Sequence, residues 1–217
     1  MEFVRDTNLI LYLPLYELDG TIIRDKSAYG RSCLVTGALF QSRGRFFDGT
    51  DDQIDCGNMG QTLHTVEMWL NPLKQIATAS PAEDMVRLSS AYGAAFGSTT
   101  GLLDNETLTI LETSGGSGRR TCVANYNFEA QFYHIIFVWN IAQSRYDFYI
   151  NGQLQTMVAA PAGHVPLITS DSFILARREL SSNTWGNIMC GEVRAYNRPL
   201  DFPEIQNNYL ATRWRYQ

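Results

Sequence analysis

A chain of 217 residues with 45% hydrophobic, 12% aromatic and 18% charged side chains can bury one large core, which excludes a disordered or fibrous protein. Its 22 Asp and Glu outnumber 17 Lys and Arg, for a net charge of −5, and Arg119-Arg120 and Arg177-Arg178 are isolated pairs. No phosphate-binding face is therefore expected, and nucleic acid is not a partner. No apolar run approaches the ~20 residues that cross a bilayer, and Leu9 to Leu15 is short and broken by Pro14, so membrane insertion is not expected.

The N-terminal segment Met1-Glu2-Phe3-Val4-Arg5-Asp6 lacks the basic-then-apolar order of a secretory signal. Period-two alternation between turn signals then predicts stacked antiparallel strands. Strands are expected near 9–13, 44–47 and 53–56. In Thr65 to Asn71, Val66, Met68 and Leu70 share one face, and Glu67, Trp69 and Asn71 the other. Leu73 to Ser98 reads as loops or weak strands, a strand is expected near 107–112, and Ser114-Gly115-Gly116-Ser117-Gly118 is a flexible turn. Phe132 to Trp139 is apolar on both faces, which predicts a central strand covered by the second sheet on one side and by loops or a partner on the other.

Arg145 to Ile150 runs into Asn151-Gly152 and then Gln153 to Met157; Asn-Gly supplies the positive φ angles of a type I′ turn and marks a hairpin. Strands follow near 172–177 and 188–196. A D-x-x-E capping box, Asp201 to Glu204, starts a short helix over about Phe202 to Thr212, with Ile205 and Tyr209 one turn apart. Cys33, Cys56, Cys122 and Cys190 form no C-x-x-C pair and no zinc spacing; oxidised, they allow three pairings, and without a secretory signal four reduced, mostly buried thiols are expected.

Leu11-Tyr12-Leu13-Pro14-Leu15, the turn Asp25 to Gly30, Arg45-Phe46-Phe47-Asp48-Gly49-Thr50-Asp51-Asp52 and Val66-Glu67-Met68-Trp69-Leu70 carry a resemblance in their order along the chain. So do Phe132 to Phe137, Phe148-Tyr149-Ile150-Asn151-Gly152 and Gly191-Glu192-Val193-Arg194-Ala195-Tyr196-Asn197-Arg198-Pro199-Leu200. Together they resemble the laminin-G-like, concanavalin A-like jelly rolls. The resemblance implies an all-β, two-sheet antiparallel jelly-roll sandwich with a short C-terminal helix, one domain over 1–217. The sequence departs from the family where D-E-V-R is common in the final strand: Gly191 stands before Glu192.

Glucanases of this fold use an E-x-D-x-x-E or E-x-D-x-E strand, but Glu17-Leu18-Asp19 is followed by Gly20-Thr21-Ile22-Ile23 and lacks the second glutamate. His134 reads as an orienting hydrogen-bond donor, and His64 and His164 have no nucleophile beside them. No catalytic residue is assigned and no enzyme is expected, a glycoside hydrolase being the remote alternative. Hard oxygen donors suit a structural calcium ion, which related jelly rolls often hold; the resemblance implies Asp25, Asp48, Asp51 and Asp52, in segments that approach each other in such folds, and Asp104-Asn105, similar to the D-N pair of pentraxin calcium loops, as candidates. Tyr92, Tyr126 and Trp185 are candidate platforms for sugar rings. Two functions follow as expectations. One is a non-catalytic structural or decoration protein of a virus or phage particle, made in the cytoplasm without a signal peptide, partnered by other virion proteins or by itself, with surface adhesion. The other is an extracellular lectin-like module that binds a cell-surface glycan with calcium.

Overall fold

The computed structural model describes residues 6–18, 20–73, 84–87, 95–98, 108–114, 117–123, 129–159, 167–168, 172–177 and 185–217; in 84–123, 157–159 and 167–168 only the backbone is described. In chain order the strands begin β1 (Leu9–Pro14), β2 (Ile22–Arg24), β3 (Ser32–Thr36), β4 (Leu39–Gln41), β5 (Gly44–Asp48), β6 (Gln53–Asn58) and β7 (Thr62–Leu63). There follow β8 (Thr65–Pro72), β9 (Asp84–Arg87), β10 (Ala95–Ser98), β11 (Leu108–Ser114), β12 (Ser117–Val123) and β13 (Tyr133–Asn140). The series ends with β14 (Arg145–Ile150), β15 (Gln153–Leu154), β16 (Met157–Ala159), β17 (Leu167–Ile168), β18 (Ser172–Leu175) and β19 (Asn187–Tyr196), then helix α1 (Phe202–Thr212) and a 3-10 turn over Arg213–Arg215.

One sheet runs β15-β14-β13-β8-β19-β5-β4, with β1 also paired to β19; the second runs β16-β12-β11-β10-β9-β18-β6-β3-β2; β7 and β17 form a small third pair. The described pairings are antiparallel, and the two large sheets form the expected jelly-roll sandwich. The long strand β19 organises the first sheet. Along one edge its first half pairs with β5 and its second half with β1, while the other edge pairs with β8.

Alternation decides which residues enter the core. Val66, Met68 and Leu70 from β8, Ile135 and Phe137 from β13, and Val193 and Ala195 from β19 meet Ile23, Val35, Ile54, Phe173 and Leu175 of the second sheet. The hairpin forms at Asn151 (φ 50°) and Gly152 (φ 77°), the left-handed pair that a type I′ turn needs. Two short strands, β9 and β10, lie within the stretch read as loops or weak strands, and the Gly-Ser segment after β11 joins two paired strands, Ser114 standing opposite Ser117.

Two expectations need correction. Cys33 and Cys56 are not reduced thiols: they form a disulfide. Leu34 pairs with Asp55 and Val35 with Ile54, so the same register sets Cys33 against Cys56, with Cα atoms 4.1 Å apart. Cys190 is a buried thiol, and the Cys122 side chain lies outside the described residues. The second apolar face of β13, expected under loops or a partner, is covered by α1, the segment leading into it and the chain end. Ile136 and Val138 pack with Tyr196, Leu200 and Ile205, and Phe132 packs with Trp69 and Tyr216.

The helix forms over the expected residues because both arms of the capping box close: Glu204 N–H donates to Asp201 Oδ1 and Asp201 N–H to Glu204 Oε2, each at 2.9 Å. Gln206 of α1 donates to the Gly152 carbonyl, which ties the helix to the hairpin tip. A Cβ at Gly152 would stand 2.8 Å from the Gln206 amide nitrogen, so glycine serves both the turn and this contact.

Candidate functional site

On the outer face of the first sheet, β13, β8 and β19 lie side by side, and their registers place His134 opposite Trp69, Glu67 opposite Arg194, and Glu192 opposite Trp69. Alternation turns these polar residues away from the main core and under α1. Glu67 Oε1 accepts from His134 Nε2 at 2.8 Å and from Arg194 Nη1 at 3.1 Å, and Glu67 Oε2 accepts from Asn208 Nδ2 of α1 at 2.8 Å. Arg194 Nη2 lies 2.8 Å from Glu192 Oε1, and Arg215 Nη1 lies 3.5 Å from Glu192 Oε2. An ionised carboxylate only accepts, so His134 Nε2 carries the proton of its contact.

Trp69 Nε1 donates to Thr212 Oγ1 at 2.8 Å, and the Trp69 ring stacks on Tyr216 at 4.6 Å and Tyr209 at 6.0 Å. Burial pushes the Glu67 carboxyl up, but Arg194 and His134 outweigh it and hold the carboxyl below its ordinary range. Glu192 moves the other way: burial and the charge of Glu67 raise it against the pull of Arg194 and Arg215. A carboxylate hydrogen-bonded to an imidazole is the raw material of acid–base chemistry. Here Glu67, His134 and Glu192 are each at most 1% exposed, so the arrangement holds the helix down and offers no reacting atom a path.

The departure at Gly191 has its cause in the same layer. The register slips between Cys190 and Glu192, a bulge in β19. A Cβ at Gly191 would stand 2.2 Å from the Tyr216 ring. The place of the family's acid is thus taken by the aromatic end of this chain.

Asp48, Asp51 and Asp52 of the β5–β6 turn bring one carboxylate oxygen each within 4.8 Å of one another, Asp48 and Asp51 exposed and Asp52 buried. Asp52 also accepts from the Asp48 backbone N–H at 2.9 Å, while burial and the charges of Asp48 and Asp51 push its carboxyl up. Three hard oxygens at this spacing are a donor set that suits calcium. Asp25 does not join them: it accepts from Tyr12 N–H at 2.9 Å and from Ser27 N–H and Oγ at 2.8 Å, closing the turn after β2. Trp185 is half-buried, with the Arg177 guanidinium 4.6 Å from its ring centre, so a cation already faces that ring. Asp104, Asn105, Tyr92 and Tyr126 lie outside the described residues.

A cavity of about 580 Å³, which no motif signalled, opens between β1, the end of β19 and α1. Its lining includes Leu9, Tyr196, Leu200, Asn207 and Asn208, and the ion-pair set Asp6, Arg198 and Glu204. Arg198 bridges the segment before β1 to the first turn of α1, with Nη2 2.5 Å from Asp6 and 2.7 Å from Glu204. The sequence brought Arg198 forward only as part of a closing motif; its partners stand 192 and 6 residues away.

Residues 28–206 match the family model described as the concanavalin A-like lectin/glucanases superfamily. No curated protein sequence matches the chain. Among solved structures, a Trypanosoma rangeli sialidase in complex with sialic acid is similar over 98% of this chain and 34% of its own, with a TM-score of 0.65 and 15% identity. The receptor-binding domain of botulinum neurotoxin type G matches over 94% of this chain and 51% of its own, with a TM-score of 0.68 and 14% identity. The binding domain of botulinum neurotoxin serotype D matches over 95% and 52%, with a TM-score of 0.68 and 13% identity. The chain thus spans about a third of the sialidase's length and about half of the toxin domains', and at these identities the likeness is one of fold. With the two-sheet architecture and the family match over residues 28–206, the chain belongs to the concanavalin A-like lectin/glucanases superfamily.

Proposed function

We propose that this protein is a non-catalytic recognition domain that adheres to a glycan-bearing surface. One observation carries the reading: the carboxylate–imidazole cluster of the first sheet, Glu67, His134 and Glu192, is sealed beneath α1 and the chain end, while the cavity beside the same helix stays open to water. A sheet face that closes this cluster and leaves a pocket beside it suits binding better than turnover. The test is a glycan array with the purified 217-residue chain. Retention by a defined set of glycans without hydrolysis supports the reading, and failure to bind any glycan, or release of free sugar, overturns it.

The setting proposed for this adhesion is the surface of a virus or phage particle, with other particle proteins or further copies of the chain as partners. It is supported by exposed apolar groups on the solvent side of α1 and the chain end: Phe202, Leu210 and Trp214 are 55%, 50% and 70% exposed. Light scattering decides it, a closed oligomer such as a trimer being expected and a monomer under all conditions speaking against it. A structural calcium ion on Asp48, Asp51 and Asp52 belongs to the same proposal. It would stiffen the β5–β6 turn, and millimolar calcium should then raise Tm in the parent chain but not in Asp51→Asn.

A further inference from the structure

We propose that the cavity between β1, β19 and α1 is a subsite for a neutral saccharide and discriminates against anionic ones; this inference rests on the adhesion reading above. The argument is a census of what its walls can still offer. A guanidinium has five N–H donors. Arg198 uses all five: Nε and Nη2 on Asp6 Oδ2 at 3.1 and 2.5 Å, Nη1 and Nη2 on Glu204 at 2.8 and 2.7 Å, and Nη1 on the Pro199 carbonyl at 3.2 Å.

The carboxylates are similarly engaged. Asp6 Oδ1 accepts from both the backbone and the side-chain amide of Asn8, at 2.8 and 3.0 Å, and Oδ2 accepts twice from Arg198. That fills the roughly four lone-pair sites of a carboxylate. Glu204 accepts twice from Arg198 and once from Asp201 N–H. Arg194, the other cation of the lining, already faces Glu67 and Glu192. An anionic ligand entering here would meet two carboxylates and no uncommitted cation among the described lining residues, and a cationic ligand would find few acceptor sites left.

What remains open is neutral and two-sided. Asn207 is exposed on α1, lines the cavity, and makes no hydrogen bond among the described contacts, so its amide can both donate and accept. Thr7, exposed and also part of the lining, adds a hydroxyl that does both. Leu9, Leu200 and the Tyr196 ring supply an apolar floor. An apolar floor beneath paired donor–acceptor groups matches a pyranose, which shows C–H groups on its face and hydroxyls at its rim. The volume falls within the range of about 300–1,000 Å³ usual for small-ligand pockets.

The experiment compares the parent chain with Asn207→Trp on an array that pairs neutral glycans with their sialylated and sulfated counterparts. Asn207 is solvent-facing, and Trp and Asn have similar helix propensity, so the substitution should leave Tm unchanged while filling the mouth. Expected are retention of neutral glycans, weak or no retention of the anionic partners, a loss of about tenfold or more in affinity for Asn207→Trp, and recovery in Asn207→Gln. Binding of the neutral glycan should change little with salt, because no ion pair forms. Glycan binding confined to anionic members, or neutral binding that Asn207→Trp leaves intact, overturns the subsite while the adhesion reading survives. An array on which the parent chain binds nothing overturns both.

Discussion

Arg194 and Arg198 stand four residues apart, and each sits between two carboxylates, yet they do different work. Arg194 lies between Glu67 and Glu192 with 4% of its side chain exposed; Arg198 lies between Asp6 and Glu204 with 31% exposed. In the first set the side chains are nearly closed to water, so both carboxylates depend on the cation they share, and its loss strands them. In the second, solvent screens the same pairing, which mainly fixes the entry of α1 and walls the cavity. The comparison teaches that a charge pattern reads as structure or as surface according to what covers it, and here α1 covers only the first.

Replacing Arg194 with Met should show the largest effect. It leaves Glu67 and Glu192 buried without their shared cation, and a loss of about 3–5 kcal/mol in urea unfolding is expected; a loss under about 1 kcal/mol would mean that water reaches this layer. Gly191→Ala should come next, at about 1–3 kcal/mol, because its methyl meets the Tyr216 ring. Removing that ring in Gly191→Ala/Tyr216→Ala should make the two losses non-additive, and strict additivity would deny the contact. Arg198→Gln should cost about 1 kcal/mol or less, given its exposure, with the remainder of the fold unchanged in thermal unfolding.

The two buried glutamates give opposite signs. Glu67 is held below its ordinary value of 4.5, so its stabilisation is fully present above about pH 4.5 and is lost as pH falls through the lower folded value. Glu192 is raised, so ionising it costs stability as pH rises through its folded value. Acid unfolding should therefore lose part of its pH dependence in Glu67→Gln, whereas Glu192→Gln should be neutral or slightly stabilising at pH 7. A Glu192→Gln loss as large as that of Arg194→Met would show that Glu192 is needed as an anion.

Local signals were legible because their physics is local. Period-two runs placed β1, β5, β6, β8, β11, β18 and β19, Asn151-Gly152 placed a hairpin, and Asp201 with Glu204 placed α1 to the residue. Even Asp25, a metal candidate through the family resemblance, is engaged by donors from Tyr12 and Ser27 in a turn whose D-x-S pattern stood in the sequence. The short strands β2, β3 and β4 carry too few alternating positions to stand out.

What only the tertiary structure decided depends on register between segments far apart. Cys33 meets Cys56 because β3 and β6 are neighbours, and nothing in their separation of 23 residues marks the pairing. Glu67 finds His134 67 residues away and Arg194 127 residues away, and α1 then closes over them. The apolar second face of β13 was visible in the sequence, but its cover was not, because a helix's destination is set by which buried surface it can complete. The cavity beside α1 is the space left when that helix docks, and space belongs to no residue's own pattern.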